Sequence, residues 1–580
     1  MTTSATDPIT LEVMRNAFYS IAEEMNASLV RASYSTNIKD RRDCSCAIYN
    51  SAGEVVAQSE SGTPVHLGTM HGAVRTALDI FPLERWEPGD AIASNLPYPA
   101  GPGHLNDLCI MSPIYYRGEI VAIAANQAHH VDMGGYATGS MPFGVTEIYQ
   151  EGLQIPPVRL FRGGRLDRDL WALMSQNIRT PFEVHGDLEA QYAANTVGEH
   201  HLGELGDKYG METVQRYLQE MLDYTERRMR AALGSIPPGS YSFEDVIEGD
   251  GIVDKDYTIR ATLEARGDSM RIDFSATDDA ARGPLNCRWP SVAACVYYVV
   301  KAVLDPDLPS NAGAYRAIDI VTREGSMLSA VYPNAVCNAN IITTQRIVDV
   351  MMGALAQAIP DRIAAASSGT MNLLNIGGMD PRDGSYFQYI ETYGGGQGAG
   401  HDTTGMDAVQ NHMTNTRNAP VEAIEAAYPL RVETYGLVPD SEGPGEHRGG
   451  LGLRRALRML GKEVQLTVSS DRARVPPWGL FGGQAAGMSR CLVVGPDGRE
   501  THLPSKVTTY VDGDHVIVTE TPGGGGWGSP RLRDPEAVRW DVLEGMVSVE
   551  RAREIYGVAV DSQTMELDEA ETRRLRGGSS

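Results

Sequence analysis

Apolar and polar residues alternate along the segment from Ile259 to Phe274, with a turn at Gly267-Asp268. Successive side chains of a strand point to opposite faces of a sheet, so this alternation predicts an antiparallel hairpin with one buried face. A second β-rich stretch runs from Glu463 to Thr521, whereas Met211 to Leu233 has the pattern of a long helix. The chain is therefore predicted to have an α+β fold, a mixed multi-lobe architecture of antiparallel β-sheets and packed helices. A doubly wound parallel sheet is not expected.

The composition excludes several classes of partner. The formal net charge is −25, and because nucleic acid and anionic membranes repel an acidic chain, we expect neither as a partner. The seven cysteines are an odd number in a long chain, which favours buried thiols in a reducing compartment over a disulfide framework. The first residues lack the pattern of a signal peptide, and the longest apolar stretch, Val292 to Leu304, is shorter than a membrane span. A cytoplasmic protein is predicted.

Histidine and aspartate residues cluster on either side of an apolar stretch. His104 and Asp107 lie in a loop that begins Gly-Pro-Gly, and His129 and His130 follow a predicted strand. Neutral imidazole and carboxylate bind Zn²⁺, Mn²⁺ or Fe²⁺ where thiolates are not used. Three protein ligands leave an open position at which a metal can activate water, so the set predicts a hydrolase or a carboxylase. The alternative is that each histidine is a hydrogen-bonded polar residue without a metal.

Two other residues, Asp43 and His66, each have two competing interpretations. Asp43 is a candidate fourth ligand, but its position beside Arg41 and Arg42 favours an ion pair. His66 precedes a predicted amphipathic helix and is a candidate for lining the site, although capping or packing is the favoured interpretation.

The length of 580 residues exceeds the size at which a single hydrophobic core stops growing. The break at Pro237-Pro238-Gly239 follows the predicted long helix and marks a boundary. We expect an N-terminal metal-site domain over residues 1–235, a central α/β domain over 236–440, and a C-terminal β-rich domain with a terminal helix over 441–580.

Two glycine-rich segments, Gly394 to Gly400 and Gly523 to Gly526, raise the question of nucleotide binding. Neither has the Lys-Ser/Thr of a P-loop, and neither lies in a strand–turn–helix unit of Rossmann type. Tight turns or close backbone packing are the favoured explanation. The chain also lacks a Gly-x-Ser-x-Gly elbow, which disfavours a serine hydrolase.

A series of short motifs follows in order along nearly the whole chain. They are Asp7-Pro-Ile-Thr-Leu-Glu-Val, Ile38-Lys-Asp-Arg-Arg-Asp-Cys-Ser45, Pro64-Val-His-Leu-Gly68, His104-Leu-Asn-Asp107, His129-His130, Glu151-Gly-Leu-Gln-Ile-Pro156, Met413-Thr-Asn-Thr-Arg-Asn-Ala-Pro-Val-Glu422, Arg448-Gly-Gly-Leu-Gly452 and Thr521-Pro-Gly-Gly-Gly-Gly-Trp-Gly528. With these motifs the chain resembles the hydantoinase B family. It departs from the family's usual Asn-Asp-Pro-Tyr and Gly-Gly-Thr-His segments, since it has Asn95-Leu96-Pro-Tyr98 and Gly101-Pro-Gly-His104.

The resemblance implies a set of site residues and a partner. In this sequence Asp43, His104, Asp107 and His129 would hold a divalent metal, Zn²⁺ or Mn²⁺, and His130 would be a reserve ligand or the catalytic base beside them. ATP would be bound by a hydantoinase A-like subunit with an actin/Hsp70-type fold, in a hetero-oligomer such as (αβ)2.

Three functions stay open on this resemblance. The preferred one is the metal-bearing subunit of an ATP-dependent cyclic-amide hydrolase of the N-methylhydantoinase, 5-oxoprolinase or lactamase type. It would open a hydantoin or lactam ring after phosphoryl activation by the partner. The second is a subunit of an ATP-dependent ketone carboxylase of the acetone or acetophenone type. The third is a non-catalytic assembly subunit whose metal is structural.

Overall fold

The computed structural model of the protein describes residues 7–577, which form helices and four β-sheets. The predicted α+β class with antiparallel sheets is confirmed. The helices are α1 (Pro8–Ala32), α2 (Thr36–Lys39), α3 (His66–Ile80), α4 (Arg168–Ser175), α5 (Pro181–Tyr209), α6 (Met211–Leu233), α7 (Trp289–Leu304), α8 (Ala312–Tyr315), α9 (Thr343–Leu355), α10 (Val421–Ala427), α11 (Pro535–Leu543), α12 (Val549–Arg551) and α13 (Glu569–Leu575). The strands are β1 (Cys44–Asn50), β2 (Val55–Gln58), β3 (Ala91–Ser94), β4 (Asp107–Tyr116), β5 (Glu119–His129), β6 (Val158–Arg162), β7 (Arg165–Leu166), β8 (Gly239–Ile247), β9 (Tyr257–Ala265), β10 (Met270–Asp273), β11 (Ile318–Val321), β12 (Leu373–Met379), β13 (Tyr386–Thr392), β14 (Leu430–Leu437), β15 (Leu453–Met459), β16 (Val464–Ser469), β17 (Arg490–Val494), β18 (Glu500–His502), β19 (Lys506–Val511) and β20 (Val516–Glu520).

The first sheet contains seven antiparallel strands in the order β2-β1-β5-β4-β3-β6-β7. Helix α1 begins where the Asp7 side chain caps the first amides and Pro8 takes the first helical position. Helix α5 lies along β4 and β5, and its Gln191 donates a hydrogen bond to the carbonyl oxygen of Leu108. The helices thus bury one face of the sheet and leave the ends of β1, β5 and β4 side by side.

The other three sheets complete the molecule. Their strand orders are β11-β10-β9-β8, β13-β12-β16-β19 and β14-β15-β20-β17-β18, and all neighbours are antiparallel except β10 and β11. Strand β12 pairs with β13 on one side and with β16 on the other, so the third sheet spans the predicted boundary between residues 440 and 441. The three domains and the two boundaries between them stay a prediction.

Helix α6 has the bounds that the sequence predicts, but the long helix α5 before it was not predicted. Its four glycines weaken the helical pattern, because glycine is a poor helix former. Two of them are required by packing. A Cβ atom at Gly186 would collide with the ring of Tyr34, and one at Gly198 would lie 2.6 Å from the sulfur of Met25.

The two glycine-rich segments pack against each other through their backbones. The amide of Gly396 donates to the carbonyl oxygen of Pro522, and the amide of Ala399 donates to that of Gly525, each at 2.9 Å. A Cβ atom at Gly396 would collide with the backbone nitrogen of Gly524. Close backbone packing, the favoured explanation of these glycines, is confirmed.

Two further expectations concern the chain as a whole. Among residues 7–577, none of the helices combines the length and the apolar character that crossing a bilayer demands. All seven cysteines are buried, and none forms a disulfide. The prediction about a signal peptide falls partly on residues 1–6, which lie outside the described range.

Candidate metal centre

The predicted metal ligands come from the ends of three neighbouring strands. Asp43 directly precedes β1, Asp107 is the first residue of β4, and His129 is the last residue of β5. In the sheet, Asp107 lies opposite His129, and the amide of His129 donates to the carbonyl oxygen of Asp43. His104 reaches the same edge from the loop before β4. Antiparallel pairing therefore gathers at one place residues that are up to 86 positions apart in the sequence.

The side chains of these residues are close enough to bind one cation. His104 Nε2 lies 3.2 Å from Asp107 Oδ1, and His129 Nδ1 lies 3.4 Å from the same oxygen. Asp43 Oδ2 is 3.9 Å from His129 Nδ1. Ligands bound to a tetrahedral ion at 2.0–2.2 Å are about 3.3–3.6 Å apart, so the residues fit a divalent metal.

A second layer of contacts fixes the orientation of His104. Its Nδ1 lies 3.0 Å from the carbonyl oxygen of Cys337, which makes Nδ1 the donor and leaves the lone pair of Nε2 facing Asp107. The buried carboxyl of Glu151 accepts hydrogen bonds from the amides of Val336 and Cys337 and thereby holds that peptide in place. Burial raises the pKa of Glu151 to about 7, against the effect of those two amides.

The charges within the cluster depend on one another. Burial opposes ionisation of Asp107, but the imidazoles of His104, His129 and His66 together outweigh burial and hold the pKa of Asp107 well below its usual range. Burial also opposes protonation of His104, and the Asp107 carboxylate nevertheless raises the pKa of that imidazole. Burial lowers the pKa of His129. An anionic Asp107 between two buried imidazoles is an arrangement that attracts a cation.

Asp43 does not form the ion pair that the sequence favours. Its Oδ1 accepts a hydrogen bond of 3.1 Å from Thr63, and within the described residues no arginine nitrogen lies within 4.0 Å of its carboxylate. Arg41 instead donates to Asn37 and Thr392. The ion-pair interpretation is wrong because Arg41 turns toward β13 while Arg42 points outward, and Asp43 is left free to act as a ligand.

His66 belongs to the cluster, although the sequence favours a capping or packing role for it. It is buried at the start of α3, where Val65 is the capping position and makes no side-chain cap. The Nδ1 atom of His66 lies 2.9 Å from Ser45 Oγ, and its Nε2 lies 3.8 Å from Asp107 Oδ2. Its Nε2 has no hydrogen-bond partner among the described residues. The sequence signal for His66 is the short motif around it at the start of α3. The closeness of His66 to Asp107 depends on tertiary packing and cannot be read from that motif.

His130 lies on the other side of the strand end. Its Nε2 is 2.9 Å from Gln191 Oε1, and its amide donates to the carbonyl oxygen of Asn106. Successive residues of an extended strand point in opposite directions, so the ring of His130 faces α5 when that of His129 faces the cluster. The role of His130 as catalytic base stays a prediction, and the residue is not among those that line the cavity described next.

A small cavity opens beside the cluster; we call it the metal cavity. Its volume is about 30 Å³, about a fifth of the ~150 Å³ that holds benzene in an engineered protein cavity. A cation with bound water fits this space, whereas a ring would require the walls to move. The cavity is lined by Asn37, Arg41, Asp43, Thr63, Val65, His66, His104, Asp107, His129, Asn340, Ile341, Met371, Leu373, Ile390, Thr392 and Thr414.

Comparison with known proteins identifies the family. The model of the Hydantoinase B/oxoprolinase family matches residues 7–530. The chain belongs to this family. It is 39% identical over 575 residues to an uncharacterized protein of Methanocaldococcus jannaschii, covering 98% of this chain and 100% of the relative. It is 32% identical to a putative D-/L-hydantoinase subunit of Pseudomonas sp. (strain NS671), covering 98% of each.

Two solved structures share the fold of this member of the Hydantoinase B/oxoprolinase family. The ATP-dependent caprolactamase from Pseudomonas jessenii superposes with a TM-score of 0.91 at 30% identity, over 99% of this chain and 100% of the other. Acetone carboxylase in its nucleotide-free form also gives a TM-score of 0.91, at 19% identity over 98% of this chain and 82% of the other. At that identity the second likeness concerns the fold alone.

Proposed function

We propose that this protein is the metal-bearing catalytic subunit of an ATP-dependent enzyme that opens a hydantoin or lactam ring. The observation that carries the proposal is the grouping of His104, Asp107 and His129 within reach of one cation, with Asp43 at 3.9 Å from His129. The hydantoinase subunit and the caprolactamase among the relatives favour a cyclic amide as the substrate. The metal we propose is Zn²⁺ or Mn²⁺, since both bind imidazole and carboxylate.

The proposed chemistry divides between the metal and the side chains around it. A bound divalent ion lowers the pKa of water toward neutrality and polarises a carbonyl group. His104, His129, Asp107 and Asp43 would hold the ion, with the contact of His104 to Cys337 setting its orientation. His66 would take the proton of the attacking water, because its Nε2 is buried, unpartnered and close to Asp107. His130 is the less suitable base, because its Nε2 contacts Gln191 and the residue does not line the metal cavity.

ATP is proposed to act in a second subunit. An amide carbonyl is a weak electrophile. Transfer of a phosphoryl group from ATP to its oxygen, with release of ADP, would activate the ring, and hydrolysis would open the ring and release inorganic phosphate. The tight packing of the glycine-rich segments supports binding of ATP elsewhere. The subunit names of the relatives imply a hetero-oligomer, and we propose a hydantoinase A-like partner, a stoichiometry such as (αβ)2 and a cytoplasmic location.

Two other functions compete with this one. A ketone carboxylase would use the same cavity, and the shared fold of acetone carboxylase is the observation that favours it. An assembly subunit with a structural metal is disfavoured, because structural zinc sites are closed and rich in cysteine. Here the candidate ligands are imidazoles and carboxylates, and a cavity lies next to them.

The test is to purify the chain together with its hydantoinase A-like partner and to supply ATP with hydantoins, lactams, 5-oxoproline or ketones. Labelled bicarbonate in parallel reactions separates the hydrolase from the carboxylase, because only a carboxylase incorporates the label into product. His104→Ala and His129→Ala are expected to lose both the bound metal and ring opening. His502→Ala, on an exposed histidine, serves as the matched control. Full ring opening by either metal-free variant would refute the proposal.

A further inference from the structure

Arg41 differs from the other buried arginines of the described residues. Each of the others has a carboxylate oxygen within 3.4 Å: Arg346 with Asp471, Arg448 with Asp407, Arg455 with Glu391, Arg472 with Asp245, and Arg533 with Asp541. The side chain of Arg41 has none within 4.0 Å in the described part of the chain, although the residue is only 2% exposed. A buried charge without a counterion is costly, so the absence of a partner calls for an explanation.

The contacts of Arg41 hold the guanidinium without neutralising it. Nη1 donates to Asn37 Oδ1 and to the carbonyl oxygen of Ile390, both at 2.6 Å. Nη2 donates to Thr392 Oγ1 at 2.9 Å. All three acceptors are uncharged, so the side chain is fixed in position and keeps its full positive charge.

Two donors of Arg41 remain after these contacts. A guanidinium carries five N–H groups, two of which are on each Nη and one on Nε. The Nε atom is buried and has no hydrogen-bond partner among the described residues. Nε and Nη2 form one edge of the guanidinium, and an edge of this kind binds both oxygens of a carboxylate or phosphate.

The charge of the metal cavity also points to an anion. The lining contains two carboxylates, of Asp43 and Asp107, and one guanidinium, of Arg41. A divalent cation held by the two carboxylates would cancel their charge, and the imidazole ligands are neutral when they bind a metal. The positive charge of Arg41 then remains without compensation beside the ion.

We propose that Arg41 binds an oxyanion of the substrate beside the metal, through Nε and Nη2. This inference rests on the proposed function and adds the chemical class of the group that enters the cavity. The oxyanion is either the phosphoryl group of the activated ring or a carboxylate carried by the ring. Arg41 thereby acts as a binding residue that places the reacting carbon next to the metal.

The test measures binding of small anions to the chain loaded with Mn²⁺, without ATP, partner subunit or ring substrate. Inorganic phosphate and acetate are titrated separately by calorimetry into the wild type and into Arg41→Gln, Arg41→Lys and Arg42→Gln. Arg42 is the matched control, since it is the adjacent arginine and is exposed. Manganese content and the temperature of unfolding are recorded for every variant.

We expect the wild type to bind phosphate or acetate, and the tighter of the two identifies the source of the oxyanion. Arg41→Gln is expected to weaken that binding by about ten-fold or more at unchanged manganese content, because hydrogen bonds between charged groups are the strong ones. Arg42→Gln should stay within about two-fold, in line with the weak effect of exposed charges. Arg41→Lys keeps the charge but loses the paired donors, and we expect intermediate binding.

Two results would overturn the inference. One is that the manganese-loaded wild type binds neither anion. The other is that Arg41→Gln binds the anion as tightly as the wild type, which would mean that the metal alone holds it. If Arg41→Gln does not fold, wild-type affinity in Arg41→Lys has the same meaning. Failure of ring opening in the full complex leaves these measurements unaffected, so the two proposals can fail separately.

Discussion

Two groups of buried charged side chains differ in how completely opposite charges are paired. The buried ionic network consists of Asp245, Arg346, Asp349, Asp471, Arg472 and Lys506. In this network Asp471 lies 2.7 Å from Arg346 and 2.6 Å from Lys506, and Arg472 lies within 3.0 Å of both Asp245 and Asp349. In the metal cavity, by contrast, neither Asp43 nor Asp107 has an arginine nitrogen within 4.0 Å among the described residues.

This contrast separates a structural role from a binding role. The network joins β8, α9, β19 and the residues that follow β16, so three cations and three carboxylates link different parts of the fold. Its three positive and three negative charges balance, so no net charge is left for a ligand. In the metal cavity Arg41 has no charged partner within the described part of the chain, and the two carboxylates face imidazoles, side-chain amides and a hydroxyl group, which leaves these charges available for an anion and a cation.

The largest effect is expected from Asp107→Asn, which removes the carboxylate that both His104 and His129 approach. Metal should be lost, and ring opening in the full complex should fall by about a thousand-fold or more, because a bound metal supplies several kcal/mol of transition-state stabilisation. Metal analysis and initial rates measure the two effects. Asp207→Asn, on an exposed carboxylate, is the control. Normal ring opening by a metal-free Asp107→Asn variant would contradict the binding role of the metal cavity and remove its contrast with the buried ionic network.

Asp471→Asn tests the structural role of the buried ionic network. It leaves Arg346 and Lys506 without their closest carboxylate, and removal of one partner from a buried pair costs about 3–5 kcal/mol. Urea unfolding of the metal-free chain measures this loss. Asp254→Asn removes a carboxylate that is 90% exposed, and it should change the unfolding free energy by less than about 1 kcal/mol. Equal stability of the two variants would contradict the assignment.

The substitution His66→Gln tests how much a residue at the edge of the metal cavity contributes to metal binding. Residues around metal ligands commonly contribute 10- to 100-fold in affinity, and we expect about ten-fold because His66 Nε2 is 3.8 Å from Asp107, beyond hydrogen-bond distance. Competition with a coloured chelator gives the affinity. His502→Gln, on an exposed histidine, should match the wild type. Unchanged metal affinity together with unchanged ring opening in His66→Gln would place this histidine outside the metal centre.

The smallest expected effect is a loss of folding stability at acidic pH. Burial would raise the pKa of Asp245, but Arg346 and Arg472 outweigh it and lower the pKa to about 2. Since the folded pKa lies below the unfolded value, the stabilisation is complete above about pH 4 and is lost as the pH falls toward 2. Between pH 5 and pH 3 we expect a loss of about 1 kcal/mol in the metal-free chain. Asp245→Asn should remove this part of the pH dependence, and an identical slope in both proteins would contradict the pairing.

Local patterns in the sequence predict much of the fold. The alternation from Ile259 to Phe274 predicts the hairpin of β9 and β10, and the periodicity of Met211 to Leu233 predicts α6. Helix α5 escapes prediction because Gly186 and Gly198 serve contacts with residues far away in the chain. Sequence patterns do not predict the pairing of β12 with β16 for the same reason, since it joins segments about ninety residues apart.

The candidate site was predictable where residue type alone decides the chemistry. His104, Asp107 and His129 follow from their ligand chemistry and their places at strand ends. The positions of His66, Asp43 and Arg41 depend on how the turn before β1 packs against α3 and β13. Neighbours in sequence suggested an ion pair for Asp43, whereas the folded chain directs Arg41 to Asn37, Ile390 and Thr392.

The most direct test of the central claim is elemental analysis of the active complex, combined with removal and return of the metal. The account predicts close to one Zn²⁺ or Mn²⁺ per chain, loss of ring opening when a chelator removes the ion, and recovery when the ion is returned. A fully active complex that contains no divalent cation would contradict it.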